Sequence, residues 1–370
     1  MPWNWQLPDW PEFRFNPSLI QPAEDELRFR SGESSGMMAI ANRPDRDQLV
    51  AEILALESLE TSEIEGEVFR RESVLSSVQR ALGFATPSVR ADRLRIRPEE
   101  RAVAELQVEI LRDPDGQVTH DTLHHWHRVL MAGRESRLLI GEYRTSLDPM
   151  QIVDERFDDR SVRFEAPPSD RVPAEMDRLL DWLADTDTAP ITRAAIAHVW
   201  FECIHPYEDG NGRIGRALSI RVLARALGRP VAISLSQAIR KRRSEYYAQL
   251  SLASTTLEMD AWLTWFAAVM LEAQALTRQL IRFTLFKISV FQRHAGVMND
   301  RQTQALLRMF ASGPDGFLGG MSSGKYGKIT GASPATARRD LSELESLGVL
   351  RRTGENKGTR YWLDWEESAT

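Results

Sequence analysis

Apolar residues recur at helical spacing along most of the chain. In the first of these stretches Leu49, Ile53, Leu56 and Leu59 are three or four positions apart, which predicts a helix that begins near Arg46. The same periodicity predicts further helices, over residues 96–112, 119–133, 172–185, 190–204, 210–227 and 257–292. The pattern therefore predicts a mainly α protein with a large helical core.

Residues 138–166 depart from this pattern. Two short runs, 149–153 and 162–166, flank the charged stretch 154–160, and this arrangement predicts a β-hairpin. A hairpin in a helical protein exposes backbone N–H and C=O groups, which can pair with an extended peptide by strand addition. The hairpin is therefore either a docking strand or a surface hairpin without a function of its own.

The C-terminal part of the chain has the pattern of a separate domain. Three helices followed by a hairpin are predicted, over Asp300–Phe310, Ser322–Ile329, Ser333–Leu347 and Val349–Leu363. Ser333 suits the N-cap of the third helix, and Pro334 suits its first position. This order of elements is that of a winged helix-turn-helix, which we place at residues 296–370.

The third of these helices is the predicted DNA-recognition helix. Its outward side chains are expected to be Thr336, Arg338 and Arg339. Acidic residues dilute this positive charge, namely Asp340, Glu343, Glu345 and Glu355. The domain therefore either binds DNA or serves dimerisation or the docking of a target.

Residues 1–35 are rich in tryptophan and proline. Trp3, Trp5 and Trp10 alternate with prolines, which favour extended chain over helix. We predict an arm or small domain whose aromatic side chains anchor it onto another surface. An arm that recognises a partner is the alternative.

The composition and net charge of the chain exclude several classes of protein. The 370 residues are 42% hydrophobic, which is enough for a buried core and suggests two or three domains. A net charge of −6 excludes a protein that coats nucleic acid with its whole surface, so any DNA binding is local. Cys203 is the single cysteine, which excludes an internal disulfide. With no apolar run of membrane-spanning length, we expect a soluble cytoplasmic protein without a membrane partner.

One stretch, His205–Arg216, combines groups that suit phosphate chemistry. It lies between two apolar helical runs, so its glycines fall at the N-terminus of the second helix, where free N–H groups bind phosphate. Asp209 can hold Mg²⁺. Arg213 and Arg216 project from one helix face and can neutralise a polyphosphate. His205, just before the loop, can accept a proton from an attacking hydroxyl.

This stretch resembles the signature of the Fic family, H-P-F-x-D/E-G-N-G-R-x-x-R, with Tyr207 at the usual phenylalanine. The resemblance covers roughly residues 45–290 and implies a Fic-type helical core, which we place at residues 36–295. Family members of this kind transfer AMP from ATP to Ser, Thr or Tyr of a protein and release pyrophosphate. The resemblance implies that His205 is the base and that Asp209 binds Mg²⁺ or Mn²⁺. It also implies a phosphate site made of Gly210, Asn211, Gly212, Arg213 and Arg216.

Two further segments resemble parts of the Fic substrate site. Residues in the hairpin, at about 149–165, resemble the flap that clamps the target by strand pairing, namely Met150, Gln151, Ile152 and Val153. Tyr246 and Tyr247 resemble the pair that borders the adenine and ribose of ATP. Gly212 resembles the residue of the AMP-transferring branch, because a kinase branch of the family has lysine there.

The end of the helix over about residues 50–66 resembles the family's inhibitory motif, S/T-x-x-x-E-G/N. The matching residues are Thr61, Glu65 and Gly66. The resemblance implies that Glu65 pairs with Arg216, takes the place of the γ-phosphate and misplaces ATP for in-line attack. It therefore implies a self-inhibited adenylyltransferase.

The implied substrates are ATP and a protein, and that protein is either another chain or this chain itself. Removal of AMP and transfer of another phosphate-linked group are variants of this hypothesis. A DNA-binding regulator that uses the nucleotide site as a switch is the alternative from another class. Two helix-rich accessory regions also offer surface for a homodimer.

Overall fold

The computed structural model describes residues 2–84, 95–112, 116–134, 137–154, 161–185, 187–227 and 233–365. The helices are α1 Pro17–Ile40, α2 Arg43–Ile64, α3 Arg71–Ala81, α4 Pro98–Arg112, α5 His120–Leu130, α6 Val172–Asp185, α7 Pro190–Ile204, α8 Asn211–Ala226, α9 Leu235–Lys241, α10 Arg243–Ala253, α11 Asp260–Arg293, α12 Asp300–Phe310, α13 Ser323–Thr330 and α14 Pro334–Ser346. The strands are β1 Gln151–Asp154, β2 Ser161–Glu165, β3 Leu350–Thr353 and β4 Arg360–Leu363. The prediction of a mainly α protein with two small hairpins is confirmed.

The chain divides into two compact units. The first contains Met1–Gly36 and Val50–Thr277, and the second contains Met37–Leu49 and Arg278–Thr370. These units differ from the boundaries predicted at residues 35 and 295. In the part of the chain that the structure describes, no helix is long and apolar enough to cross a membrane.

The first unit is built around α7. Every residue of α7 except Arg193 is buried, as expected for a helix that is apolar on all sides. α7 packs against α8, which is also buried along most of its length. The loop between these two helices is residues 205–210. It is therefore held at both ends by core helices.

The N-terminal segment is part of the first unit, and the prediction of extended chain for residues 1–35 is wrong beyond Asn16. Helix α1 begins at Pro17, where a proline is tolerated because the first helical N–H has no partner within the helix. It continues through Pro22. Ile20 and Leu27, two turns apart, are buried in the core, and this packing outweighs the local cost of the proline.

The second unit contains the winged helix-turn-helix that the sequence predicts. α12, α13 and α14 are followed by the antiparallel pair β3–β4. The Ser333 side chain accepts a hydrogen bond from the Thr336 N–H and so caps α14. Residues 278–293 belong to this unit because aromatic side chains of α11 pack into it. The Phe283 ring lies 5.6 Å from that of Phe310 and 5.3 Å from that of Trp365.

Asp340 corrects one expectation about the charge of α14. The sequence placed it among the acidic residues that dilute the outward positive charge. Asp340 is instead fully buried and accepts hydrogen bonds from Arg301 Nε at 2.9 Å and from the Tyr326 hydroxyl at 2.9 Å. Arg338 and Arg339 are exposed, and Thr336 is half-buried.

Candidate active site

The loop between α7 and α8 has the backbone of an anion site. His205 ends α7 in the left-handed region, with φ 50° and ψ 61°. Gly210 precedes α8 with φ 82°, a conformation that glycine adopts without strain. Asn211 and Gly212 therefore lie in the first turn of α8, where backbone N–H groups have no partner within the helix.

Two reciprocal hydrogen bonds fix the shape of this loop. The Tyr207 N–H donates to Asn211 Oδ1 at 2.9 Å, and Asn211 Nδ2 donates to the Tyr207 carbonyl at 2.7 Å. Tyr207 is fully buried, and its ring stacks on His127 with centroids 4.1 Å apart. Tyr207 thus packs as a core aromatic at the position where the signature has phenylalanine.

His127, on α5, contacts the loop at Tyr207 and Asp209. Its Nδ1 accepts a hydrogen bond from the Gly141 N–H at 2.9 Å. Its Nε2 lies 3.1 Å from the Asp209 carbonyl, so the proton is on Nε2. Burial lowers the pKa of His127 to about 4, which keeps this neutral form at physiological pH. The sequence analysis did not select His127.

Arg144 holds the residues next to His205 in place. Its Nε donates to the His205 carbonyl at 2.8 Å, and its Nη2 donates to the Pro167 carbonyl at 2.5 Å. Its own N–H donates to the Pro206 carbonyl at 2.9 Å. Three carbonyls that burial would leave unpaired are satisfied in this way. Arg144 was not predicted as a site residue from the sequence.

His205 is neutral in this environment. Burial, together with the nearby positive charge of Arg144, lowers the pKa of His205 to about 4. Its Nδ1 is buried, which leaves Nε2 as the nitrogen available to a substrate. A neutral imidazole at the wall of a cavity can accept a proton.

Glu65 lies on Arg216, as the resemblance implies. Glu65 Oε1 is 2.7 Å from Arg216 Nη2. Arg216 Nε also donates to Thr61 Oγ1 at 2.8 Å, and its Nη2 donates to the Thr61 carbonyl at 3.1 Å. Burial lowers the pKa of Arg216, but the Glu65 carboxylate more than offsets this and raises it above its ordinary value. Arg216 is thus buried and charged, with the end of α2 as its partner.

The residue after Gly66 provides a second ion pair. Gly66 has φ 84° and reverses the chain after α2. This turn brings Glu67 Oε2 to 2.8 Å from Arg213 Nη1, and Glu67 also pairs with Arg134. Both arginines of the signature are therefore paired with carboxylates from residues 65–67. The sequence analysis identified Glu65 and missed Glu67.

Gly212 allows Glu65 to approach the first turn of α8. A Cβ at this position would collide with Glu65 Oε1. Any side chain larger than hydrogen would therefore displace the carboxylate. The same space is where a phosphate would meet the helix N-terminus.

A cavity of about 400 Å³ opens beside these groups. It is lined by the predicted base, the predicted inhibitory pair, the hairpin and the two tyrosines. These residues include His205, Glu65, Arg216, Met150, Gln151, Ile152, Tyr246 and Tyr247. Asp209 and Arg213 are not among the residues that line this cavity, and Arg213 Nη2 lies 3.5 Å from Asp209 Oδ1. The structure thus brings together residues that lie almost two hundred positions apart in the sequence.

Tyr246 is fixed by a buried network that the sequence analysis did not predict. Its hydroxyl lies 2.8 Å from His198 Nε2, and His198 Nδ1 lies 3.1 Å from Ser219 Oγ. The His198 ring is stacked parallel to Trp262. Burial lowers the pKa of His198 to about 3, so the ring is neutral. Tyr247 is half-buried, with the Arg243 guanidinium over its ring.

Glu202 is a further cavity residue that the sequence analysis missed. It lies one helical turn before His205, and its Oε1 is buried with no hydrogen-bond partner among the described residues. Burial raises the pKa of Glu202 to about 8, opposed by Arg216 and assisted by Glu65. Its only sequence signal is its position as an acidic residue in an apolar helix.

The hairpin β1–β2 forms one wall of the cavity. Gln151 pairs with Glu165 and Ile152 with Phe164, and an irregularity follows before Val153 pairs with Val162. The Ala166 N–H donates to the Met150 carbonyl at 2.9 Å and extends the ladder. Of the predicted charged tip, residues 154–160, Asp154 ends β1 and residues 155–160 lie outside the described residues.

Comparisons with known proteins agree with this geometry. Residues 117–223 match the Fic/DOC family, residues 328–354 match the DeoR-like helix-turn-helix domain, and residues 3–84 match a domain of unknown function, DUF4172. Protein adenylyltransferase fic-1 of Caenorhabditis elegans is 30% identical over 158 residues, which are 42% of this chain and 28% of that protein. Protein adenylyltransferase Fic of Nematostella vectensis is 31% identical over 141 residues, which are 37% of this chain and 29% of that protein. This chain therefore spans less than a third of the length of these relatives.

Solved structures have the same fold. A Fic family protein from Desulfovibrio desulfuricans aligns with a TM-score of 0.50 and 23% identity, over 94% of this chain and 98% of that one. Fic-1 from C. elegans aligns with a TM-score of 0.51 and 21% identity, over 74% of each chain. The chain therefore contains a Fic domain, with its signature loop between α7 and α8, and a C-terminal DeoR-like helix-turn-helix domain.

Proposed function

We propose that this protein transfers AMP from ATP to a hydroxyl side chain of Ser, Thr or Tyr, on a target protein or on itself, and releases pyrophosphate. The observation that carries the proposal is the Glu65–Arg216 pair in the first turns of α8, in one cavity with a neutral His205. The names of the relatives, protein adenylyltransferases, support the same reaction.

The residues suit each part of this transfer. The target oxygen attacks the α-phosphorus of ATP, and its proton moves to His205 Nε2. The bond from the α-phosphorus to the bridging oxygen breaks, and pyrophosphate leaves with that oxygen. The first-turn N–H groups of α8 and the side chains of Arg213 and Arg216 offset the phosphate charge.

Asp209 is the residue we propose to hold a divalent metal. Its carboxylate is 45% exposed and points to the side of the loop where Arg213 lies, so water and phosphate oxygens can complete its coordination. Mg²⁺ commonly binds through one carboxylate and substrate phosphates. When bound, the ion supplies positive charge to the phosphates.

Glu65 is the proposed brake on this activity. A γ-phosphate that binds Arg216 must displace the Glu65 carboxylate and break the hydrogen bond between Glu65 and Arg216. A hydrogen bond between charged groups contributes about 2 kcal/mol, which corresponds to roughly 30-fold in the binding of ATP in a productive position. ATP that leaves Glu65 in place has its α-phosphate displaced from the line of attack.

The test is the incorporation of label from α-labelled ATP into the protein itself and into lysate proteins. Glu65→Gly should label strongly, wild type weakly, and Glu65→Gly with His205→Ala not at all. Glu63→Gly is the matched control, because Glu63 is on the same helix end but pairs with Arg240. Labelling by the control at the level of Glu65→Gly would contradict the brake. Absence of labelling by Glu65→Gly with either Mg²⁺ or Mn²⁺ would contradict the reaction.

Removal of AMP from a modified protein is the variant of this proposal in which Glu65 orients the attacking group. The two directions respond oppositely to Glu65→Gly. Transfer should increase and removal should be lost. An AMP-modified protein prepared with Glu65→Gly and then incubated with wild type separates them.

DNA binding is a second proposed function, carried by the winged helix. Arg338 of α14 and Arg352 and Arg360 of the hairpin line one cleft of this domain. Guanidinium groups around such a cleft suit phosphate contacts. A mobility shift of duplex DNA at low salt that weakens steeply as salt increases supports this function, with Arg338→Ala reducing the affinity. Unchanged mobility at low salt would contradict it.

A further inference from the structure

The first residues of the chain contact the hairpin that lines the cavity. Trp5 Nε1 donates a hydrogen bond to the Glu165 carbonyl at 2.7 Å, and the Arg171 guanidinium lies over the Trp5 ring. The Trp3 ring meets Phe164 edge to face, with centroids 5.3 Å apart. Phe164 is buried and lines the cavity. Two tryptophans, Trp3 and Trp5, therefore contact strand β2.

The residue between these tryptophans contacts the opposite wall. The Asn4 N–H donates to the Ser254 carbonyl at 2.7 Å, and Asn4 Nδ2 donates to the Ala253 carbonyl at 3.1 Å. These carbonyls belong to the C-terminal end of α10, where helical carbonyls lack partners within the helix. Asn4 Nδ2 also lies 3.2 Å from Cys203 Sγ. Ser254 and Cys203 line the cavity.

The same segment is fixed to the core a few residues later. Trp10 Nε1 donates to Glu175 Oε2 at 2.8 Å, and Arg178 Nη2 donates to the Trp10 carbonyl at 2.7 Å. The Trp10 ring packs edge to face on Trp200 of α7. The contacts of Trp10 thus fix the chain just after Trp3–Gln6 to the core.

We infer that Trp3–Gln6 is a brace that sets the distance between the hairpin and the end of α10. By fixing the hairpin, it positions the segment of the target protein that carries the hydroxyl group opposite His205. A two-stranded hairpin has little stability of its own, so its place depends on what it packs against. The brace acts on the acceptor side of the cavity, whereas the signature loop acts on the phosphate side. This inference assigns a role to the first residues of the segment 3–84 that matches a domain of unknown function, and it rests on the proposed transfer of AMP.

The test uses full-length protein in a Glu65→Gly background. Trp5→Phe removes the indole N–H and keeps an aromatic ring. Trp182→Phe is the matched control, because it makes the same change at a tryptophan whose ring packs on Trp200 of α7. Hydrogen exchange of peptides covering residues 161–165 reports on the hairpin. Labelling from α-labelled ATP, measured over a range of ATP concentrations, reports on the reaction.

Trp5→Phe should raise the exchange rate of the hairpin amides about threefold to tenfold, which is the range for one lost hydrogen bond. The maximal labelling rate should fall by a similar factor, with the ATP concentration at half-maximal rate unchanged. Trp182→Phe should change neither. Trp3→Leu, at a half-buried site, should act in the same direction as Trp5→Phe and covers the case in which the latter does not fold.

Hairpin exchange that increases no more in Trp5→Phe than in the control would overturn the brace. A shift in the ATP concentration at half-maximal rate would also overturn it, because a general loss of structure affects both substrates. If the Glu65→Gly background does not label at all, the proposed reaction fails, and the exchange measurement still decides whether the hairpin is braced.

Discussion

Glu67 should restrain Arg213 as Glu65 restrains Arg216. Its Oε2 is 2.8 Å from Arg213 Nη1, and the Arg213 side chain is 4% exposed. In the proposed reaction Arg213 supports the departing phosphates, so ATP must compete with this carboxylate. Glu67→Gln removes the charge and keeps the size of the side chain, but it leaves one acceptor oxygen where Glu67 offers two to Arg213 and Arg134. It should therefore tighten ATP binding.

The magnitude follows from the exposure of the pair. A hydrogen bond between charged groups contributes about 1.5–3 kcal/mol when buried. The Glu67 side chain is 26% exposed, so solvent screens part of this interaction. Taking about 1 kcal/mol, we expect ATP to bind roughly fivefold more tightly to Glu67→Gln. Because Glu65 and Glu67 are two positions apart and both add negative charge beside Arg213, their effects should not simply multiply in the double variant.

Calorimetric titration with ATP and Mg²⁺ tests this prediction by measuring the affinity for ATP of four proteins: wild type, Glu67→Gln, Glu65→Gly and the double variant. Glu63→Gln serves as the control, since Glu63 pairs with Arg240 away from the signature loop. An unchanged or weaker affinity in Glu67→Gln would refute the reasoning. It would mean that Glu67 orients Arg213 for the phosphates instead of competing with them.

Two other predictions follow from the site. The pKa of His205 is lowered to about 4, so its ring should stay neutral as the pH falls from 8 to 5.5 and become charged only near pH 4. NMR titration of the ring protons against His205→Ala checks this, and a midpoint near 6.5 would contradict it. Gly212→Ala should move the Glu65 carboxylate away from Arg216, because its Cβ collides with Glu65 Oε1, and so lower the free energy of unfolding by about 1–3 kcal/mol, the range for a lost hydrogen bond between charged groups. In Glu65→Gly the same substitution should cost much less, as measured by urea unfolding, and equal costs would exclude the predicted contact.

The sequence predicts the parts of the site that are local. The signature loop is contiguous, and its glycines, N-cap position and flanking apolar runs define its backbone without reference to the rest of the chain. The hairpin and the winged helix are predicted for the same reason, since each is a unit of neighbouring elements. The Glu65–Arg216 pair is long-range, and only the resemblance to a known motif predicts it.

The remaining contacts depend on tertiary packing. Arg144 contacts carbonyls about 60 residues away, and Glu67 reaches Arg213 across 146 positions. No periodicity in the sequence specifies such partners. For the aromatic N-terminus, the sequence predicts that its rings anchor it onto another surface. It predicts neither the helix from Pro17 nor the hydrogen bond from Trp5 to Glu165. Likewise, local sequence does not tell that Asp340 faces the core.

The central claim is that Glu65 holds back a transferase that moves AMP and not phosphate. The most direct measurement compares incorporation from α-labelled and γ-labelled ATP by Glu65→Gly and by wild type, with products identified by mass spectrometry. The account predicts that Glu65→Gly incorporates the α label at least about 30-fold faster than wild type, with no γ label and with an adenylyl group on the product. Incorporation of the γ label, or equal rates for the two proteins, would contradict it.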